Sequence, residues 1–593
     1  GQGRPLCYEL AMLEARSPEE VLARVRALAE RFQAQTTDSS VRREVAEELK
    51  ELRRLWKRNS GLFLTDTLDM LKELAQALEA PAAGGAGGTA RATPEAVLHE
   101  VFGFKAFRPG QEAIIKSVLA GRDCVGIMPT GAGKSLTFQV PARVLGGTTL
   151  VVSPLIALMK DQVDALTEYG LRATFLNSSL APEVRKSRLD RLARGEFELL
   201  YASPEGLEAS VGWALRNLDL KLIAVDEAHC ISHWGHDFRP AYRKLSGLKR
   251  RFPGVPVLAL TATATRQVTR DIVEQLAMQK PQVYLGSFLR KNLRLSAYKK
   301  GAGLKPAVRK AILSLVQARR GQSGIIYCLS RKRAESLASY LVENGCRAGA
   351  YHAGMESDAR AKVQQAFRAD QIDVVVATIA FGMGIDKSNV RYVIHRDMPR
   401  SIEGYYQEIG RAGRDGVASD CVLFYSWSEV IAYDGFAAES DDEAQQARTR
   451  ALVREMFEYC EAKGCRHQTL VRHFEEQAEP CGEACDQCLG TDLLATLPKG
   501  GRVRSSAPGA TNVATAPGVG AGLEIFEQLK QLRRALADER GVPAYVIFSD
   551  ATLLEMAAHR PTTPGQLLAI TGVGPTKLER YGAAFLEVLQ RGQ

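Results

Sequence analysis

The stretch MPTGAGKSL, residues 128–136, follows the apolar run CVGIM and precedes a helical pattern. Strand, glycine loop and helix in that order suit a phosphate. Gly131 and Gly133 let backbone N–H groups face an anion, Lys134 adds charge opposite the β and γ phosphates, and Ser135 offers a hydroxyl to Mg²⁺. Met128 stands where the generic pattern has its first glycine, so alone the stretch competes with a plain glycine-rich turn. Farther along, LIAVDEAHC ends an apolar, strand-like run with Asp226 and Glu227. One of these carboxylates can hold Mg²⁺ while its neighbour orients an attacking water. Loop and carboxylates together specify a nucleoside triphosphatase. QEIGRAGRDG, residues 407–416, sets Arg411 and Arg414 three apart on what should be one face of a helix. They form either a solvated basic face or a pair that crosses a cleft to stabilise charge on a transferring phosphoryl group.

Two further clusters could carry chemistry. CISHWGHDFRPAY, residues 230–242, directly follows the acidic pair and is rich in aromatic and basic side chains without hydrophobic periodicity. It is either core filler or a substrate contact. Of 11 cysteines, those from Cys460 to Cys488 crowd together, whereas Cys7, Cys124, Cys230, Cys328, Cys346 and Cys421 are scattered, several in strand-like runs such as GIIYCLS. Buried free thiols rather than a disulfide framework are expected of the scattered ones.

The elements that must position these residues can be read from periodicity. With 593 residues, 45% apolar and 25% charged, the chain is long enough for roughly three to five domains. A net charge of +10 favours a polyanionic partner only weakly over such a length. No run of eighteen apolar residues occurs and the start GQGRPLCYEL lacks a basic and an apolar region, so neither a membrane span nor a secretory signal is expected, and an intracellular location is. Residues 1–79 form a helical extension in which Ser17 caps a helix, Pro18 opens it and Val21, Leu22, Val25, Leu28 and Phe32 recur near helical spacing. Residues 80–94, rich in Gly and Ala, read as a flexible linker. From 95 to 430, apolar runs such as TTLVVS, VPVLALTAT and DVVVATIA alternate with amphipathic stretches. That is the pattern of an α/β fold, with buried parallel strands and crossover helices, long enough for two domains joined near SFLRKNLRLSAYKK, 287–300. Residues 431–490 are helical and end in cysteines, 491–521 read as disordered, and 522–593 as a last all-α domain.

FGFKAFRPGQ (102–111), MPTGAGKS, VVSPLIALMKDQ (151–162), DEAHCISHWGHDFRP, LTATAT (260–265), FGMGIDKSNVRYVIH (381–395) and YYQEIGRAGRDG (405–416) together resemble a RecQ-family superfamily-two DNA helicase. The resemblance implies two tandem RecA-like motor domains, 95–290 and 291–430, a zinc-binding subdomain at 431–490 and an HRDC domain at 522–593. It also implies an ATP-driven motor that runs along single-stranded DNA and unwinds duplexes 3′ to 5′ in recombination and repair. ATP, Mg²⁺ and Zn²⁺ are the expected cofactors. Single-stranded DNA and tailed, forked or structured duplexes are the expected partners, alongside single-strand-binding or repair proteins and no membrane. The nucleoid of a bacterium, or the nucleus if the source is eukaryotic, is the expected place. A DNA translocase, an RNA unwinder, or a strand-annealing protein with weak unwinding stays open as an alternative.

Residue by residue, Phe104 and Arg108 resemble the family's adenine sandwich and Gln111 the glutamine that reads the adenine edge. Thr130 joins Gly131, Gly133, Lys134 and Ser135 in the phosphate loop, and Ser135 and Asp226 are the expected magnesium holders. Thr261 and Thr263 resemble the motif that links hydrolysis to domain movement, and Asp386 a residue of the interdomain ATP cleft. Trp234, His236, Phe238 and Arg239 resemble the aromatic-rich loop that meets single-stranded DNA and couples it to hydrolysis, with His233 departing from the family's usual glutamine. Cys465, Cys481, Cys485 and Cys488 offer four thiolates whose spacing resembles the family's zinc site, although Gly482 to Ala484 put three residues where the family has two. Cys460 reads as a buried thiol, and His467 and His473 as helix-surface residues. GVPAYVIFSDATL and ITGVGPTKLERYG resemble the HRDC module. In the latter, GVGPTK sets exposed N–H groups and Lys577 where a phosphate could sit, or makes a plain helix-to-helix turn. Few residues separate the cysteines from this module, so the winged-helix domain of longer relatives is not expected.

Overall fold

The computed structural model describes residues 17–34, 39–64, 67–68, 70–71, 74–75, 92–154, 156–177, 180–207, 215, 218–232, 239–301, 304, 307–381, 387–438, 442–497 and 520–591. Most of the linker expected at 80–94, and positions 498–519 of the one expected at 491–521, lie outside them. Contacts divide the chain into two compact units: Gly1–Arg91 with Leu176–Phe197 and Ser210–Leu218, and the remainder. In the first, Glu20 N–H donates to Ser17 Oγ (3.3 Å) and starts the helix Pro18–Ala34. Val21, Val25, Leu28 and Phe32 share a core with Val41, Val45, Leu49 and Leu52 of the helix Ser39–Arg58.

The second unit contains two sheets. The first lobe has strands β1 (Cys124–Ile127), β2 (Thr148–Val152), β3 (Ala173–Leu176), β4 (Leu199–Ala202), β5 (Leu220–Val225), β6 (Val257–Thr261) and β7 (Gln282–Leu285), ordered β3-β4-β2-β5-β6-β1-β7. The second lobe has β8 (Leu293–Lys299), β9 (Ser323–Tyr327), β10 (Ala348–Tyr351), β11 (Val374–Ala377), β12 (Val390–His395) and β13 (Ser419–Tyr425), ordered β10-β11-β9-β12-β13-β8. Every neighbouring pair in this second sheet is parallel. Strands such as β1, β2, β11 and β13 are buried along their whole length, because helices cover both faces. That is why they read as unbroken apolar runs rather than alternating ones.

The second sheet's core reaches past its last strand: Leu494 is buried in it, and Leu493 and Leu497 pack against it. Composition put this segment in a linker, but three leucines in LLATL supply enough apolar surface to dock it. Helices Trp427–Ala438, Glu443–Glu461 and Arg466–His473 lead to the cysteine loop, which is tied to β8 where Leu295 N–H donates to Ala484 O (3.0 Å) and Ala297 N–H to Asp486 Oδ2 (3.0 Å).

The C-terminal domain runs from the helix Gly520–Arg540 to the helix Pro575–Arg591 around Leu529, Ile547, Leu553, Met556, Phe585 and Leu589. Arg533 is buried at its centre, pairing with Asp550 (2.9 Å) and donating to Phe548 O (2.7 Å). The domain rests on the motor, and this corrects the phosphate reading of GVGPTK. Gly572 N–H donates to Gly103 O (3.0 Å), and Lys577 is 3% exposed, donating to Val546 O (2.9 Å) with its ammonium 4.2 Å from the Tyr169 ring centre. The turn is spent on protein contact. Glu168 collects Arg540 (3.3 Å), Arg580 (3.2 Å) and the Tyr581 hydroxyl, while Asp550 approaches Arg391 of the second lobe (4.0 Å).

Candidate functional site

The phosphate loop leaves β1 at Met128 and enters the helix Leu136–Leu145. Gly131 and Gly133 take φ of 85° and 81°, and a Cβ on Gly133 would lie 2.5 Å from Gln111 Nε2. Glycine is therefore required there by both backbone and space. Gln111, 1% exposed, donates to Ala132 O (3.1 Å) and Gly133 O (2.9 Å) and accepts from Arg108 N–H (2.8 Å). Arg108 donates in turn to Gly131 O, and Lys134 Nζ to Met128 O (3.2 Å). Two residues expected at an adenine thus also buttress the loop.

Asp226 and Glu227 follow β5 at the centre of the sheet. Glu227 adopts a left-handed backbone (φ 49°), unusual for a side chain of its size, and its N–H donates to Asp226 Oδ1 (3.0 Å). From this turn a chain of close polar contacts leads away. His229 Nδ1 lies 3.4 Å from Glu227 Oε2 and 2.9 Å from Thr261 Oγ1, Thr261 Oγ1 donates to Thr263 O (2.9 Å), and Gln407 of the second lobe donates to Thr263 Oγ1 (3.4 Å). The two threonines lie between His229 beside the acidic turn and Gln407 of the opposite lobe.

Trp234, His236 and Phe238, with His233, lie outside the described residues, but the ends of their loop are described. Arg239 N–H donates to Cys230 O (2.8 Å), Arg239 Nη1 reaches Pro154 O (3.4 Å), and the fully buried Tyr242 donates its hydroxyl to Asp226 O (2.9 Å). The loop is pinned at the acidic turn where it returns.

The second lobe supplies the arginines. Arg411 and Arg414 do not share a helix face, because the helix Ile402–Ile409 has ended and residues 410–416 form successive turns. Gly413 (φ 54°) turns left-handed within them, and a Cβ there would meet Asn292 Nδ2 at 2.5 Å and Val417 O at 2.7 Å. Beneath them His395 is held by Glu408 (2.8 Å) and stacks on Tyr327 (5.2 Å between centroids). Burial pushes the Tyr327 phenol up to about 12, with Arg411 pulling the other way.

A cavity of about 820 Å³ is lined by Phe104, Arg108, Gln111, Thr130, Gly131, Gly133, Lys134, Ser135, Asp226, Glu227, Arg411 and Arg414. The structure thus brings the loop, the acids and the arginines to one space between the lobes, while Asp386 lies outside the described residues. A glycine loop with Lys134, paired carboxylates and two arginines around one cavity suit a nucleoside triphosphate. Sequence reasoning missed Arg290, Tyr242 and His229, whose partners are far apart in the chain or lie on the backbone.

The four sulfurs of Cys465, Cys481, Cys485 and Cys488 all lie within 4.8 Å of one another, a donor set suited to a tetrahedral zinc ion. Backbone N–H groups of Cys481 and Cys488 donate to Cys465 Sγ (3.2 Å) and Cys485 Sγ (3.4 Å). Burial raises the Cys465 thiol, but hydrogen bonds from Cys481 and Gln468 outweigh it and bring it down to about 7. Cys460 is a buried thiol outside this group. The two histidines are not surface residues. His467, 2% exposed, bridges Leu293 O (2.9 Å) and Ala484 O (3.2 Å), because the loop folds back on β8. His473 sits between Glu403 (3.1 Å) and Glu455 (2.7 Å).

Comparison with known proteins adds four family matches: DEAD/DEAH box helicase over residues 108–272, helicase conserved C-terminal domain over 307–416, RecQ zinc-binding over 427–489 and HRDC domain over 522–589. The chain is 38% identical to the ATP-dependent DNA helicase RecQ of Pasteurella multocida, over 84% of this chain and 93% of that one. It is 36% identical to the ATP-dependent DNA helicase RecQ of Bacillus subtilis, over 84% of this chain and 98% of that one. Among the described residues no helix is long and apolar enough to cross a membrane.

Proposed function

The chain belongs to the RecQ family of ATP-dependent DNA helicases, and from that premise we propose that it translocates along single-stranded DNA 3′ to 5′ and separates tailed, forked or structured duplexes in recombination and repair. The observation that carries the reading is the single cavity of about 820 Å³ shared by the phosphate loop, the acidic turn and the arginines of the opposite lobe.

In this reading the loop N–H groups and Lys134 take the β and γ phosphates, Ser135 and Asp226 hold Mg²⁺, and Glu227 orients the attacking water. Arg411 and Arg414 meet charge developing on the γ-phosphoryl group from the other lobe, so hydrolysis depends on lobe closure. Phe104 and Arg108 sandwich adenine, and Gln111 exchanges a loop carbonyl for its edge; Asp386 belongs to the same cleft. The path from Glu227 through His229, Thr261 and Thr263 to Gln407 supports a role for the threonines in passing the state of the acidic turn to the second lobe. Trp234, His236, Phe238 and Arg239 meet single-stranded DNA by stacking and phosphate contact, and the bond from Tyr242 to Asp226 gives that loop a direct hold on the acidic turn. The four thiolates hold zinc and brace the second lobe through β8.

Strand displacement from a 3′-tailed and a 5′-tailed duplex, each with and without ATP, tests this. ATP-dependent product from the 3′-tailed substrate alone is expected. Product from the 5′ tail alone would overturn the polarity, and hydrolysis without product from either would make the protein a translocase.

A further inference from the structure

Between β7 and β8 the chain passes from one lobe to the other through SFLRKN, residues 287–292. This crossing is anchored at one end. Phe288 stacks on Phe474 (4.4 Å between centroids), its N–H donates to Glu476 Oε2 (2.6 Å), and its carbonyl accepts from the Tyr406 hydroxyl (2.9 Å). Two residues on, Arg290 turns into the space between the lobes.

The Arg290 guanidinium reaches four backbone carbonyls. Nη1 donates to Thr130 O (3.0 Å) of the phosphate loop and to Gly410 O (3.0 Å), and Nη2 donates to Ala412 O (2.9 Å) and Gly413 O (2.7 Å). Asn292 repeats the grip, its amide donating to Gly413 O (2.9 Å) and Val417 O (3.2 Å). The carbonyls at 410, 412 and 413 lie in the turn that follows the helix Ile402–Ile409, and Gly413 O also accepts from Gly416 N–H (3.0 Å). A planar fork with several fixed donors can satisfy them and still reach the opposite lobe, which a lysine ammonium cannot do. Close packing supports the same junction: a Cβ on Gly410 would come within 3.0 Å of Thr130 Cβ, and one on Gly131 within 3.4 Å of Arg414 Cα.

We infer that Arg290 is a positioning residue for ATP hydrolysis: its guanidinium clamps the turn bearing Arg411 and Arg414 to the phosphate loop at Thr130, setting where those arginines meet the γ-phosphoryl group. The inference rests on the proposed roles of Arg411 and Arg414. Arg290 reaches backbone carbonyls and the Asn292 side chain (3.5 Å), both of which hold the turn, so it acts through the arginines that the turn bears. Its place on the crossing also ties this clamp to the zinc-binding region through Phe288, Phe474 and Glu476.

The test uses the full-length protein and variants Arg290→Lys, Arg290→Gln, Arg411→Ala and the double variant Arg290→Lys with Arg411→Ala. DNA-stimulated kcat and KM for ATP, the Kd for ADP and Tm are measured. Arg290→Lys should lower kcat about tenfold or more, leave the ADP Kd within about threefold, and add less than about threefold to the loss in the Arg411→Ala background. Arg290→Gln should act in the same direction, and if it fails to fold the lysine variant decides. A kcat for Arg290→Lys within about threefold of wild type, or losses that multiply in the double variant, would overturn the inference. Unaltered kcat in Arg411→Ala alone would instead sink the assignment of Arg411.

Discussion

Replacing Thr261 by valine removes one hydroxyl and almost no volume at a residue that is 0% exposed. Oγ1 partners His229 Nδ1 at 2.9 Å, donates to Thr263 O at 2.9 Å and receives Thr263 N–H at 3.3 Å. Valine leaves those groups buried without it, at about 1–3 kcal/mol for each group that finds no new partner. If two of the three groups stay unpaired and the penalty is absorbed by unfolding energy, stability falls by roughly 2–6 kcal/mol with little change in rate. If His229 instead turns to find a partner, Glu227 beside it loses its orientation, and about 1–3 kcal/mol appears in the barrier, a fall of roughly 5- to 150-fold in kcat. The path from the acidic turn to Gln407 requires the second outcome. Phosphate release with and without single-stranded DNA, read beside a thermal melt, separates them. DNA-stimulated kcat should drop about fivefold or more while ADP affinity holds. A kcat within about twofold of wild type, with only a lowered Tm, would refute a coupling role and leave Thr261 a packing residue.

Cys485→Ser should lower bound zinc below one equivalent by metal analysis and loosen β8, seen as faster amide exchange at Leu295 and Ala297, because the cysteine loop bonds both; unchanged exchange would separate the metal from the lobe. His473 is raised to about 9, since Glu403 and Glu455 outweigh the opposing effect of burial. Its folded value exceeds the unfolded one of about 6.5, so its stabilisation, roughly 2–3 kcal/mol, is complete below about pH 6.5 and is lost as pH rises to about 9. Denaturant unfolding of wild type should weaken across that window, and His473→Gln should remove the slope; equal slopes would contradict the pairing.

Much of the site was legible because its chemistry is local. The phosphate loop, the acidic pair and the four cysteines each announce themselves through residue type and spacing within a few turns of chain. What stayed hidden depends on contacts made across long separations. Arg290 reads as one basic residue among several in SFLRKNLRL, and its role follows only from carbonyls at Thr130, Gly410, Ala412 and Gly413. Lys577 and the GVGPTK turn carry the residue types of a phosphate site, but Gly103 and Tyr169 occupy their donors and face. His467 and His473 fall at helical positions, yet β8 and the helix Ile402–Ile409 cover them. The helical spacing of Arg411 and Arg414 misled because the helix stops at Ile409, before either arginine, and both lie in the turns that follow. Sequence records which groups could act; packing decides which still have a free face.

The central claim is that hydrolysis at the interlobe cleft drives strand separation. Glu227→Gln tests it most directly, since it keeps shape and removes the carboxylate that would orient the water. DNA-stimulated phosphate release and ATP-dependent displacement of a 3′-tailed duplex should both fall about 100-fold or more, with ATP still bound at near wild-type affinity. Hydrolysis retained within about tenfold, or displacement persisting after hydrolysis is lost, would contradict the account.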